Sequence, residues 1–184
     1  MSLLGMLKSI FVKADKSTEV SEIVPVVVPV VAPVDAESTY PSDRRKNLRI
    51  DARKGTRVLI IDDSATVLTF LRKMFSSSGY VPLLAANAER GLEMIHSNNP
   101  DLVVLDIIMP GMNGFAALRQ IRRNPLVKDL PVIMMSGNEQ ATEQFYVMRL
   151  GADGFMKKPF TRFDVFSRIE KLLDTNQVPR RLIN

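Results

Sequence analysis

The chain has 184 residues, room for one ordinary domain and an extension, and its 46% hydrophobic and 24% charged residues suffice for a core without covalent staples. It has no cysteine, which excludes disulfides, thiolate metal centres and cysteine nucleophiles. The single His96 excludes His-rich metal centres and argues against a Ser-His-Asp triad. The net charge is 25 − 20 = +5, and its location matters more than its size. From Asp43 to Arg57 seven basic residues face two acids, 7 − 2 = +5, whereas Val58 to Val178 holds 13 of each sign. The high pI therefore describes a short arm, and no nucleic-acid partner is expected.

Residues 1–13, MSLLGMLKSIFVK, place Leu3, Leu4, Leu7, Ile10 and Phe11 on one side of a helical wheel. No charge precedes the apolar run, Lys8 interrupts it, and it is too short to span a bilayer. It reads as a frayed amphipathic terminus or as a peripheral anchor or docking helix. In SEIVPVVVPVVAPVD, Pro25, Pro29 and Pro33 recur every four residues among valines, which suits an extended linker rather than a helix or central strand. Residues 1–55 are thus expected to be a mostly disordered extension, residues 56–175 a domain, and residues 176–184 a tail.

From Arg57 the pattern changes. Arg57–Ile61 is a β-branched run of the kind buried in parallel sheets. Helical periodicity follows over 64–78 and stops at Gly79. A weaker strand is predicted over 81–86 and a helix over 88–97. Leu102–Leu105 is a buried strand, and Asn113 caps a helix to about Arg123. Residues 132–135 form a fourth strand, 139–150 a helix, 154–156 a short fifth strand and 161–174 a last helix. Strict alternation implies an α/β fold, a five-stranded parallel sheet wound with helices on both faces. Met134, Met135, Met148 and Met156 read as core, and His96 as a solvated residue near a helix end.

In such sheets the ligand site lies beyond the carboxyl ends of the strands. There the sequence places Asp62 and Asp63 after the first strand and Asp106 after the third. Ser136 follows the fourth, and Lys157, Lys158 and Pro159 follow the fifth. Three carboxylates together are costly unless a cation joins them, and hard oxygen ligands without thiol or imidazole suit Mg²⁺. One carboxylate can then act as a nucleophile on phosphorus, with a lysine and a hydroxyl holding the phosphoryl oxygens.

The stretches RVLIIDDS, DLVVLDIIMPGMNG, PVIMMSG and GADGFMKKPF resemble the receiver domain of bacterial response regulators, over about Arg57 to Asp174. The likeness is to stand-alone, CheY-like receivers with a flavodoxin-like fold, including those of twitching-motility and chemotaxis systems. It implies that Asp106 accepts a phosphoryl group from a histidine kinase or phosphotransfer domain. It implies that Asp62, Asp63, Asp106 and the backbone carbonyl of Ile108 hold Mg²⁺. Ser136 would be the switch hydroxyl, Phe155 the switch aromatic and Lys158 the lysine on the phosphoryl group. Phe155 also fits an ordinary core aromatic. The output would run through the face of the fourth helix, fifth strand and fifth helix, to a downstream protein target in the cytoplasm.

The chain ends about ten residues past the last predicted helix, so no DNA-binding output domain is expected. An aspartyl-type phosphatase is the enzymatic alternative. Such an enzyme wants a second acid two residues after its nucleophile, where this chain has Ile108, so no conventional turnover is expected. Asp43–Ile50 also looks like the opening motif of cyclic di-GMP-binding PilZ domains, without the rest of that domain. A solvated linker touching anionic lipid at a membrane or cell pole fits it better.

Overall fold

The computed structural model describes residues 50–137 and 141–181. The expected helix at 1–13, the Val/Pro linker, Asn138, Glu139 and the last three residues lie outside the described residues. The elements are β1 (Arg57–Ile61), α1 (Ala65–Ser76), β2 (Val81–Ala85), α2 (Ala88–Asn98) and β3 (Leu102–Asp106). They continue with α3 (Gly114–Arg123), β4 (Val132–Ser136), α4 (Ala141–Arg149), β5 (Gly154–Lys157) and α5 (Arg162–Glu170). All strands pair in parallel in the order β2-β1-β3-β4-β5, the doubly wound sheet expected from the sequence.

The three inner strands are apolar nearly throughout because both of their faces are covered. Val58, Ile60, Val104, Ile133 and Met135 pack on one face against Leu71 and Phe75 of α1 and Val165, Phe166 and Ile169 of α5. The alternate residues Leu59, Ile61, Val103, Leu105 and Met134 meet Ile95 of α2, Leu118 and Ile121 of α3 and Val147 of α4. Ser64, Asn87, Asn113 and Thr161 each cap a helix by accepting a backbone N–H three residues on. Edge strand β2 carries Pro82. Val81 N–H donates to Thr56 O, and Ala85 O accepts from Asp62 N–H, so Pro82 faces the outer edge.

Several expectations shift. The last helix ends at Glu170, not Asp174. Its final turn tightens through Leu172 N–H on Ile169 O, and Asp174 accepts the N–H groups of Asn176 and Val178, which turns the chain back. Leu173 then bridges Pro179, and Arg180 N–H donates to Leu172 O, so residues 176–181 lie on the domain. At the other limit Ala52 is buried, its N–H on the Tyr80 hydroxyl, and Arg53 N–H donates to Gln177 O. Met134, Met135 and Met156 are fully buried, but Met148 is 45% exposed on the outer side of α4, where Val147 alone of the described side chains is buried. His96 is exposed in the last turn of α2, as expected.

Candidate functional site

Parallel strands deliver their carboxyl ends to one edge, and five of the expected side chains meet there. Asp62 follows β1 and is fully buried, Asp106 ends β3 with 3% exposure, and Ser136 ends β4 fully buried. Asp63 is exposed beside them. Single carboxylate oxygens of Asp62, Asp63 and Asp106 lie within 4.8 Å of one another, a spacing that suits one metal ion.

Lys158 arrives from the end of β5, where its N–H donates to Ser136 O at 2.7 Å. Its ammonium sits 2.6 Å from Asp62 Oδ2 and 2.9 Å from Asp106 Oδ1. The remaining Asp62 oxygen accepts the N–H of Ser64 at 2.9 Å, which ties the carboxylate to the start of α1. Burial pushes the Asp106 carboxyl above its ordinary range; Lys158 pulls it down and Asp62 pushes it further up. Burial lowers Lys158, but its hydrogen bonds to Asp62 and Asp106 hold it above its ordinary value overall. With the carboxylates ionised, the set carries −3 + 1 = −2. That imbalance in hard oxygen ligands fits a small divalent cation.

The loop after Asp106 is held at three points. Ile107 N–H donates to Met135 O, and Gly114 N–H returns to Ile107 O. A Cβ on Gly114 would lie 2.1 Å from Asp106 O, so the backbone approach there requires glycine. Glu89, in the first turn of α2, accepts the N–H of Met112 at 3.0 Å. Ile108 sits on this loop with its side chain 60% exposed. Phe155 is half-buried against the core on the α2–α3–α4 face, and Arg168 donates to its backbone oxygen.

Sequence reasoning missed Glu89, whose only local signal is an acid in a first helical turn. It also missed Asp153 in the GADG turn, which is buried on Arg122 at the far edge of the sheet.

A family profile described as response regulator receiver domain matches residues 58–170. Protein PilH of Pseudomonas aeruginosa is 34% identical over 117 residues, an alignment covering 64% of this chain and 97% of PilH. Response regulator MprA of Mycobacterium ulcerans is 35% identical over 117 residues, covering 64% of this chain and 50% of MprA. The chain spans about half the length of most such curated relatives. A solved response regulator receiver domain protein (CheY-like) from Methanospirillum hungatei superposes with a TM-score of 0.59 at 27% identity. That match covers 64% of this chain and 93% of the other.

Proposed function

The chain belongs to the response regulator receiver domain family, and from that premise we propose that Asp106 accepts a phosphoryl group from a histidine kinase or phosphotransfer domain. The observation that carries this reading is the buried Asp106 carboxylate, 2.9 Å from Lys158 in a cluster with a net charge of −2.

Asp62, Asp63 and Asp106, with the Ile108 carbonyl, are the residues that would hold Mg²⁺. When bound, the ion supplies the positive charge that lets an anion enter the pocket. An Asp106 oxygen forms the bond to phosphorus as the donor's N–P bond breaks, and the leaving imidazole takes a proton. Lys158 pairs with the phosphoryl oxygens, and the Ser136 hydroxyl moves toward them. Phe155 then turns into the space that Ser136 vacates and changes the face built from α4, β5 and α5, a two-state packing change. Phe145, 66% exposed, and Met148 offer apolar contacts to a downstream protein there.

The protein so read is a signalling module in the cytoplasm rather than a turnover enzyme. Coverage of 97% of PilH supports a stand-alone output through protein contacts, in a motility or chemotaxis pathway. Docking by residues 1–13 would bring it to a membrane or cell pole. No helix among the described residues is long and apolar enough to cross a membrane.

Acetyl phosphate with Mg²⁺ tests the reading. Labelled phosphate should appear on the wild-type chain, vanish with chelator, and be absent from Asp106→Asn. Lys158→Ala should still be labelled but lose the associated change at α4–β5–α5, read by amide exchange. Undiminished labelling of Asp106→Asn overturns the acceptor assignment.

A further inference from the structure

The edge of the sheet opposite Asp106 gathers the amino ends of the strands and the carboxyl ends of the helices, about 16 Å away along five-residue strands. The net charge of zero over residues 58–178 leaves out its flanks, which bring Arg53, Lys54 and Arg57 before it and Arg180 and Arg181 after it to the edge opposite Asp106. At this one Arg53, Lys54, Arg123, Lys128 and Lys171 are exposed. Of the acids beside them, Asp101 pairs with Arg57, Asp174 with Arg180, and Asp153 with Arg122 and Arg181, while Asp51 and Asp129 are exposed, Asp129 at 4.0 Å from Arg181.

Two apolar side chains project among these cations. Leu126 is 86% exposed in the turn between α3 and β4, and Ile50 is 53% exposed. They belong to one continuous surface because the turned-back chain links them. Ile50 N–H donates to Glu170, Arg53 N–H to Gln177 O, and Arg181 to Lys128 O. The chain's basic cluster Arg44, Arg45, Lys46 and Arg49 immediately precedes Ile50.

We propose that this edge, with Leu126 and Ile50 projecting from a ring of lysines and arginines, docks on an anionic lipid bilayer. Complementing helix dipoles accounts for Arg123 at the end of α3, but not for Arg53, Lys54 and Lys128 in loops, nor for an exposed leucine. Cations draw the surface to acidic headgroups and the aliphatic tips enter the interface. A single-stranded nucleic acid would be met by aromatic platforms, and the exposed Phe70, Phe145, Tyr146 and Phe163 all lie on helices away from these loops. The orientation leaves the Asp106 edge facing away from the lipid, open to a kinase. The inference is independent of the chemistry at Asp106.

The full chain lacks tryptophan, so Leu126→Trp places a single reporter at the proposed contact. Vesicles of phosphatidylcholine with phosphatidylglycerol should shift its emission to the blue, and pure phosphatidylcholine vesicles should not. The combined Lys54→Glu, Arg123→Glu, Lys128→Glu and Lys171→Glu chain should sediment with the anionic vesicles at least about tenfold more weakly. Leu126→Ser should weaken sedimentation more mildly, and added salt should weaken that of the wild type. Retained Mg²⁺-dependent beryllofluoride binding by these variants reports an intact domain, and its loss in the wild type would fault the phosphoacceptor reading alone. Sedimentation unaffected by the charge reversals, or an unshifted tryptophan on vesicle-bound protein, overturns the proposal. So does binding to an RNA oligomer that exceeds lipid binding and is indifferent to Leu126→Ser.

Discussion

Asp106 and Asp153 are both buried carboxylates at strand ends of the same sheet, yet their surroundings are opposite. Asp153 Oδ2 accepts from Arg122 at 2.7 Å and from Val132 N–H at 2.8 Å, and Arg181 stands 3.6 Å from Oδ1. One carboxylate there meets two guanidinium groups. Burial in this cluster, with Arg181 adjacent, lowers Arg122 to about 10 against the pull of Asp153. At the other edge Asp62 and Asp106 share one ammonium. At the far edge the carboxylate is fully supplied with positive charge from within the chain, and the cluster ties β4, β5, α3 and the last residues together. The Asp106 edge is left short of positive charge, a deficit that suits an external cation. A deficit of charge, rather than burial itself, separates the working end from the structural one.

Removing each carboxylate should break the likeness between the two ends. Asp153→Ala leaves the largely buried Arg122 and the part-buried Arg181 without the Asp153 carboxylate and should destabilise the domain by about 3–5 kcal/mol in urea unfolding. Folded Asp153→Ala should still bind beryllofluoride with Mg²⁺. A loss under 1 kcal/mol would show that the clamp is not structural.

The second test cuts the chain beside the clamp. Deleting residues 1–49 should leave the thermal midpoint nearly unchanged. Deleting 1–56 also removes buried Ala52, its hydrogen bond to Tyr80 and that of Arg53 to Gln177, and should cost about 2 kcal/mol, or roughly 8 °C. Equal midpoints for the two truncations would show that residues 50–56 contribute nothing.

Asp106→Asn should move stability the other way. The folded Asp106 carboxyl titrates above the unfolded one, so the folded state binds the extra proton between the two values. Its relative stability is full below the ordinary carboxylate pKa and is lost as pH rises through the raised one. At neutral pH without Mg²⁺ the wild type therefore bears the whole cost, and Asp106→Asn should be the more stable of the two in urea unfolding. That gain should shrink toward zero at low pH and also when Mg²⁺ is added to the wild type. A destabilised Asp106→Asn would contradict the deficit.

The smallest effect concerns lifetime. Ile108 follows Asp106 by two residues and offers water no hydrogen bond. Ile108→Asn should speed decay of the phosphorylated chain by about threefold, under 1 kcal/mol of barrier, in a single-turnover measurement. Unchanged decay would separate this side chain from the attacking water.

The Asp106 edge was legible because each contributor ends a strongly apolar run: RVLII before Asp62, LVVL before Asp106, VIMM before Ser136. Buried parallel strands announce themselves by composition, and their topology then brings those end residues together. The Asp153 edge was not legible. Its acid sits in a glycine-flanked turn that reads as solvent, and Arg122 and Arg181 are 59 residues apart in sequence. Likewise Ala52 and residues 176–181 carry no periodicity, because they are ordered by long-range backbone pairing rather than by a helix or strand of their own. The end of the last helix was overrun because Leu172 and Leu173 continue its apolar pattern, while Asp174 diverts the backbone.

Pro82 has a consequence for how copies of this protein can meet. Its ring removes one of the two N–H groups, those of residues 82 and 84, that edge strand β2 would otherwise present outward, so a strand arriving from another molecule would find a donor only at Leu84. Extension of the sheet on that side is therefore weakened. On the β2 side, self-association is steered toward helix faces, whose side chains can be rearranged and released, rather than toward a continuous ladder of the kind that builds fibrils.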